Sequence, residues 1–276
     1  MSGLLARMAV TSRERADAAR AAEPLADLRA RARDLPPAPP LRLCGFDLLA
    51  EVKLRAPSAG VLARPADPAA TAAERAEAYA AAGAAAVSVL TEPTRFDGDL
   101  AHLAAAARAC TVPVLRKDFL VDRYQVWEAR AAGAGGVLLI VRMLDESALH
   151  ALLDAAAEAG LFALVEAFDA SDLARVAPLV ARWPEGGPPL LAGVNSRDLR
   201  TLDIDRGRLR ALAADLPTGA VPVAESGILV PEDAWDAAEA GYAMILVGTA
   251  LMAAPDPSAL ARSLLASGRT VRGETR

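Results

Sequence analysis

Of the thirty lysine and arginine residues in this chain, lysine stands only at positions 53 and 117. Arginine keeps its proton, whereas a lysine ammonium can give one up and regain it once its surroundings are tuned. A chain that uses arginine everywhere else therefore marks two places where a titratable cation matters. Both lysines follow short apolar runs, Leu48–Val52 and Val112–Leu115. Two glutamates share that setting: Glu51 lies in the first run, and Glu166 follows Phe162–Val165. A carboxylate at the end of an apolar strand beside an ammonium can act as a base or orient a substrate hydroxyl. The plainer alternative is a pair of ion pairs, Lys53 with Glu51 and Lys117 with Asp118.

Other groups fall at equivalent positions. Phe96 and Phe119, two of only five phenylalanines, follow the second and third runs and could flank an aromatic ring. Asn195 and Arg197 follow the sixth run, with an amide and a guanidinium suited to hydroxyls and anions. Ser226-Gly227 and Gly248-Thr249 follow the seventh and eighth, where glycines let backbone N–H groups approach a phosphate. His102 and His150 fall inside helical stretches with no partner at ligand spacing, so no metal site is expected. No histidine ends a strand, which removes a Ser-His-Asp arrangement.

The elements that must hold these groups are legible as a repeat. Eight apolar runs alternate with alanine-rich helical stretches: Leu48–Val52, Val87–Leu90, Val112–Leu115, Val137–Val141, Phe162–Val165, Leu190–Val194, Val221–Ala224 and Met244–Val247. Strands buried on both faces read as continuous apolar runs, and eight of them with intervening helices is the (β/α)8 barrel pattern. Gly83, Gly133, Gly160 and Gly241 each follow an alanine at a helix end, where a left-handed residue stops the helix. Pro68 and Pro231 sit where a helix begins. A doubly wound open sheet is the competing fold, but no Gly-x-Gly-x-x-Gly follows the first strand. Residues 1–45 differ in composition. Helical stretches near Ser12–Ala22 and Leu25–Arg33 lead into Pro36-Pro37-Ala38-Pro39-Pro40. They are expected to form a helical extension packed on a barrel of residues 46–276.

A net charge of −5 argues against nucleic acid as a partner, since phosphate backbones demand a basic face. The longest apolar run, Val137–Val141, is far too short to span a bilayer. Two cysteines, Cys44 and Cys110, in a chain of 276 residues fit a reduced, cytoplasmic setting. The expected ligand is a small phosphorylated molecule, and the expected assembly a monomer or weak homodimer.

At the strand ends the chain resembles the indole-3-glycerol phosphate synthases of tryptophan biosynthesis. The resemblance is carried by Ala50-Glu51-Val52-Lys53 through Pro57-Ser58, Val87-Ser88-Val89-Leu90-Thr91-Glu92 and Pro113-Val114-Leu115-Arg116-Lys117-Asp118-Phe119. Leu164-Val165-Glu166, Gly193-Val194-Asn195-Ser196-Arg197-Asp198-Leu199, Ala224-Glu225-Ser226-Gly227-Ile228 and Leu246-Val247-Gly248-Thr249 complete it. The family converts 1-(2-carboxyphenylamino)-1-deoxyribulose 5-phosphate to indole-3-glycerol phosphate with loss of CO2 and water, and no cofactor is implied. The resemblance implies that Lys117 is the general acid. Lys53 would bind an anionic group and is a candidate acid for dehydration. Glu51 and Glu166 would divide the tasks of base and hydroxyl-orienting carboxylate. Phe96, Phe119 and Leu138 would line the aromatic pocket, with Pro57 and Ser58 beside it. Asn195 and Arg197 would position substrate; Lys53, Ser226, Gly227, Gly248 and Thr249 would hold phosphate. The first loop departs from the family pattern at Leu54 and Ala56, which bears on which ring is accepted. A phosphosugar isomerase, a Schiff-base aldolase and a non-catalytic phosphate binder on the same barrel are the competing readings.

Overall fold

A computed structural model describes residues 3–57, 59–198 and 201–273. Eight parallel strands close into a barrel: β1 (Asp47–Val52), β2 (Ala86–Leu90), β3 (Val114–Lys117), β4 (Gly136–Ile140), β5 (Phe162–Ala167), β6 (Leu190–Asn195), β7 (Val221–Glu225) and β8 (Met244–Val247). Each strand pairs with the next, and β8 closes onto β1. The open-sheet alternative is therefore excluded. The helices in chain order are α1 (Gly3–Ala22), α2 (Leu25–Asp34), α3 (Pro68–Ala81), α4 (Pro93–Phe96), α5 (Leu100–Ala109) and α6 (Arg123–Ala131). They continue with α7 (Glu146–Glu158), α8 (Ala170–Arg182), α9 (Arg208–Ala211), α10 (Pro231–Glu239), α11 (Thr249–Ala253) and α12 (Pro257–Val271).

The local reasons match the sequence. Pro68 and Pro231 occupy first-turn positions, and Asp67 accepts hydrogen bonds from Ala69 and Ala70 N–H at 3.0 Å each. Gly83, Gly133, Gly160 and Gly241 all have positive φ just beyond a helix. One element differs in register. The third strand was expected at Val112–Leu115 and runs instead over Val114–Lys117. Arg116 ends the apolar run in the sequence, yet it is buried in the strand because its charge is matched. Its guanidinium donates to Glu128 at 2.7 Å, Asp118 at 3.1 Å, Thr91 Oγ1 at 3.2 Å and the Gln125 carbonyl at 2.9 Å. The fourth strand likewise ends at Ile140, because Val141 opens a 3-10 turn.

The first helix is longer than expected and starts at Gly3 instead of near Ser12. Leu5 and Met8 join the main core, and Leu28 and Ala32 of α2 cluster with Tyr124 and Trp127 of α6. Polar contacts pin both helices down. The Tyr124 hydroxyl lies 3.0 Å from the carbonyls of both Ala19 and Glu23 and shares its single proton between them. The most consequential link is a two-pronged one from Arg15 of α1 to Asp118, at 2.9 and 2.7 Å. Asp118 is the residue after Lys117, and it also accepts from Arg116 and, at 2.8 Å, from Thr91. Burial alone would raise its pKa, but the Arg15 and Arg116 guanidiniums and the Thr91 hydroxyl overcome burial and hold it at about 2.

That depressed value carries a sign. The unfolded carboxyl titrates near 3.9, so the stabilisation is complete above that pH and is lost as pH falls through the folded value. We predict that Asp118→Asn, which leaves Arg15 and Arg116 facing an uncharged amide, costs about 3–5 kcal/mol at neutral pH. The variant's urea-unfolding free energy should also depend less on pH between about 4 and 2 than the wild type's. Parallel curves in that range would show that another group is responsible.

Candidate active site

The C-terminal ends of the strands open into one cavity of about 240 Å³. Its wall contains Glu51, Lys53, Pro57, Phe96, Lys117, Phe119, Leu138, Glu166, Asn195, Arg197, Ser226, Gly227, Gly248 and Thr249. Those groups, drawn from every strand end but few neighbours in sequence, are brought together in one place. Ser58 lies outside the described residues. Leu4 of α1 also reaches the cavity, which the sequence did not announce, and so does Glu225 at the end of β7, which the sequence placed at a strand end without a role.

The two lysines are held differently. Lys53 Nζ donates to Glu51 Oε1 at 2.6 Å, the ion pair considered from the sequence. Lys117 does not pair with Asp118, because Asp118 turns outward to Arg15, Arg116 and Thr91. Lys117 Nζ instead points inward and lies 3.2 Å from Glu166 and 3.3 Å from Glu225. Both carboxyls are almost fully buried. Burial works against the charge on Lys117, but Glu166, Glu225 and Glu51 outweigh it and hold its pKa above the ordinary lysine range. Glu225 moves the other way from a usual paired acid. Burial and the proximity of Glu166 push its pKa well up, against the pull of Lys117.

Two glycines are emptied of side chain for these groups. A Cβ at Gly193 of β6 would run into the Glu225 carboxyl and lie 3.0 Å from a Leu164 methyl. A Cβ at Gly248 would run into the Glu51 carboxylate and stand 2.9 Å from Lys53 Nζ. Gly248 thus clears space for the Glu51–Lys53 pair, a role the sequence did not suggest.

The opposite wall is apolar. The Phe96 and Phe119 rings lie 6.2 Å apart and inclined at 40°, with Leu90, Leu138 and Ile140 nearby. Ala56 also faces the cavity, whereas Leu54 is buried behind it beside Val52 and His102. Asn195 is fixed by its own turn, accepting the Arg197 N–H at 2.9 Å, and its carbonyl accepts from Arg208 at 2.9 Å. Arg197 donates to the Leu202 carbonyl at 2.7 Å, and burial lowers its pKa against the pull of Glu51. At the β7 and β8 edge, Ser226 and Gly227 both adopt left-handed backbone, at φ 67° and 80°. Among the described residues no cluster of three or more His, Cys, Asp or Glu could hold a metal.

The family model for indole-3-glycerol phosphate synthase matches residues 5–264. The chain belongs to the indole-3-glycerol phosphate synthase family. A synthase of that name from a Nocardioides species is 48% identical over 244 residues, covering 87% of this chain and 89% of the relative. Others are 46% identical in a Parafrankia species, over 83% of this chain and 81% of that one, and 43% identical in Mycobacterium leprae, over 83% and 79%. Solved structures share the fold alone. 3-Hexulose-6-phosphate synthase from Salmonella typhimurium superposes with a TM-score of 0.60 at 18% identity, covering 82% of this chain and 100% of that one. Orotidine 5'-phosphate decarboxylase from Pyrococcus horikoshii gives 0.58 at 14% identity, over 80% and 99%. Membership in the synthase family makes this chain a carbon–carbon lyase, and the isomerase, aldolase and idle-binder readings are not favoured.

The glycine geometry yields a prediction. Gly248 has a negative φ, so Gly248→Ala meets no left-handed backbone strain and should still fold. Its methyl group must push Glu51 and Lys53 from their places. Displacements of about an ångström cost about 10²-fold in rate, so kcat/KM should fall by that order while the melting temperature changes little. Wild-type kcat/KM would mean that the pair yields without consequence.

Proposed function

We propose that this chain closes the pyrrole ring of 1-(2-carboxyphenylamino)-1-deoxyribulose 5-phosphate and expels CO2 and then water, with the residues of the cavity in the following roles. The observation that carries the assignment is Lys117, an ammonium aimed inward between two buried carboxyls. Ring closure onto a ketone builds negative charge on oxygen, and a positioned ammonium both stabilises that charge and donates a proton. Lys117 is the general acid. Its neighbours hold the proton tightly; bound substrate excludes water and engages the carboxylates, which strengthens the opposing effect of burial and frees the proton.

Glu51 is neutralised by Lys53 at 2.6 Å, which supports hydroxyl orientation for Glu51 and leaves Glu166 as the base. Lys53 serves chiefly as an anion clamp. The carboxylated ring packs against Phe96 and Phe119 over Leu138, and Pro57 and Ala56 border it; a substituent on the ring would be selected at Ala56. Asn195 and Arg197 hold substrate polar groups, and Ser226, Gly227, Gly248 and Thr249 receive the phosphate. Residues 46–276 form the catalytic barrel, residues 1–45 an extension on it, and the protein works in the cytoplasm as a monomer or weak homodimer without nucleic acid.

The direct test is incubation with the carboxyphenylamino-deoxyribulose phosphate while following indole fluorescence. No turnover with this substrate or its ring-substituted forms would overturn the reading. Within it, Lys117→Arg should lose about 10²- to 10⁴-fold in kcat, because arginine retains the charge but not the donated proton. Lys53→Arg should lose far less, since a guanidinium can still clamp an anion. Near wild-type kcat in Lys117→Arg would reduce Lys117 to a charge.

A further inference from the structure

Lys117 is the last residue of β3, and the apolar wall of the cavity resumes two residues later at Phe119. The strand pairing stops between them. The Thr91 N–H donates to the Lys117 carbonyl at 3.0 Å, whereas the Phe119 N–H, past the strand, donates to Asp118 Oδ1 at 2.8 Å. A buried backbone N–H must find an acceptor, so the Asp118 carboxylate fixes the direction in which the chain leaves β3.

That carboxylate is itself held from three sides. Its Oδ1 also accepts from Arg15 Nη2 at 2.7 Å. Its Oδ2 accepts from Arg15 Nη1 at 2.9 Å, Thr91 Oγ1 at 2.8 Å and Arg116 Nη2 at 3.1 Å. Thr91 and Arg116 belong to β2 and β3 and their ends, but Arg15 comes from α1, 103 positions earlier in the chain. A two-pronged guanidinium sets the plane of a carboxylate as well as its position.

The fork is not what docks α1. Leu5 and Met8 lie in the main core, Gln125 Nε2 donates to Ser12 Oγ at 2.8 Å, and Arg20 meets Asp122 at 2.6 Å. Arg15 directs both terminal nitrogens to Asp118 while its buried Nε has no partner among the described residues. An unpaired buried N–H is costly, so the arrangement serves the carboxylate better than it serves the arginine.

We propose that Arg15 is a positioning residue for the reaction. It fixes the Asp118 carboxylate, the carboxylate fixes the bend from Lys117 to Phe119, and the helical extension thereby sets the aim of the general acid and of the ring wall together. This rests on the assignment of Lys117 as general acid. Without the fork, Asp118 keeps Arg116, Thr91 and the Phe119 N–H and remains an anion in place, but its plane can tilt and the bend with it.

The experiment compares Arg15→Met, which keeps much of the aliphatic stem, with Arg15→Lys, which keeps the charge on a single prong. Rates are measured well below each variant's melting temperature, where lost stability alone leaves kcat unchanged. Arg15→Met should lower kcat about 10- to 10²-fold with KM within about threefold of wild type, and Arg15→Lys should recover part of the loss. Thr91→Val removes a donor from the other side of Asp118 and should lower kcat in the same direction, by about three- to tenfold. With lysine labelled at Nζ by nitrogen-15, the Lys117 signal should shift in Arg15→Met while that of Lys53 stays. Because Arg15 acts through Lys117, adding Arg15→Met to Lys117→Arg should cost less than about threefold more. Wild-type kcat in both Arg15→Met and Thr91→Val, an unmoved Lys117 signal, or an equal loss in the two backgrounds would each overturn the proposal. Near wild-type kcat in Lys117→Arg alone would instead bring down the acid assignment, and the Lys117 signal would still test the fork.

Discussion

A lysine ammonium pointing into a barrel cannot be left without counter-charge, and most of the site follows from how Lys117 is matched. Water is largely removed from it, so burial favours the neutral amine, while Glu166 and Glu225 at 3.2 and 3.3 Å favour the ammonium. The carboxyls win. Their own burial then becomes the difficulty, and it is eased because they meet at a single cation and one of them can hold a proton. The same interaction that keeps Lys117 charged thus gathers two buried carboxyls beside it.

The barrel supplies the geometry that this requires. Lys117 ends β3, Glu166 lies in β5 and Glu225 ends β7, on alternate strands whose side chains converge on the axis. Between them, β6 contributes Gly193, and the absence of a side chain there lets the Glu225 carboxyl lie back against the strand. Gly248 does the same for Glu51 and Lys53. On the outer side, Asp118 is engaged by Arg15 and Arg116, so the two residues of the Lys117-Asp118 pair are pulled in opposite directions. The extension is in this way tied to the strand that carries the acid.

Much of this was legible because it is local. Continuous apolar runs announce strands buried on both faces, and two lysines among many arginines announce their own importance. What escaped depended on contacts between distant parts of the chain. Arg116 broke an apolar run although it is buried, since its partners Glu128, Gln125 and Thr91 come from other elements. Leu4, Leu5 and Met8 did not read as helix because their burial is against the barrel and its cavity. Glu225 stood at a strand end like Glu51 and Glu166, but its meaning lies in Gly193 and Lys117, which no spacing in the sequence connects. The alternative pairing of Lys117 with Asp118 fails for the same reason: Arg15, Arg116 and Thr91 engage Asp118, while Glu166 and Glu225 engage Lys117.

The central claim is the charge state of Lys117, and the chain's shortage of lysine makes it directly measurable. With lysine labelled at Nζ by nitrogen-15, NMR should show two side-chain signals, from Lys53 and Lys117, assigned by losing one in Lys53→Arg. Titrating the ligand-free protein upward in pH, the account predicts that the Lys117 signal stays that of an ammonium past the ordinary lysine pKa of about 10.4. A Lys117 signal that turns to amine below that value would contradict it, because the carboxyls would then fail to outweigh burial.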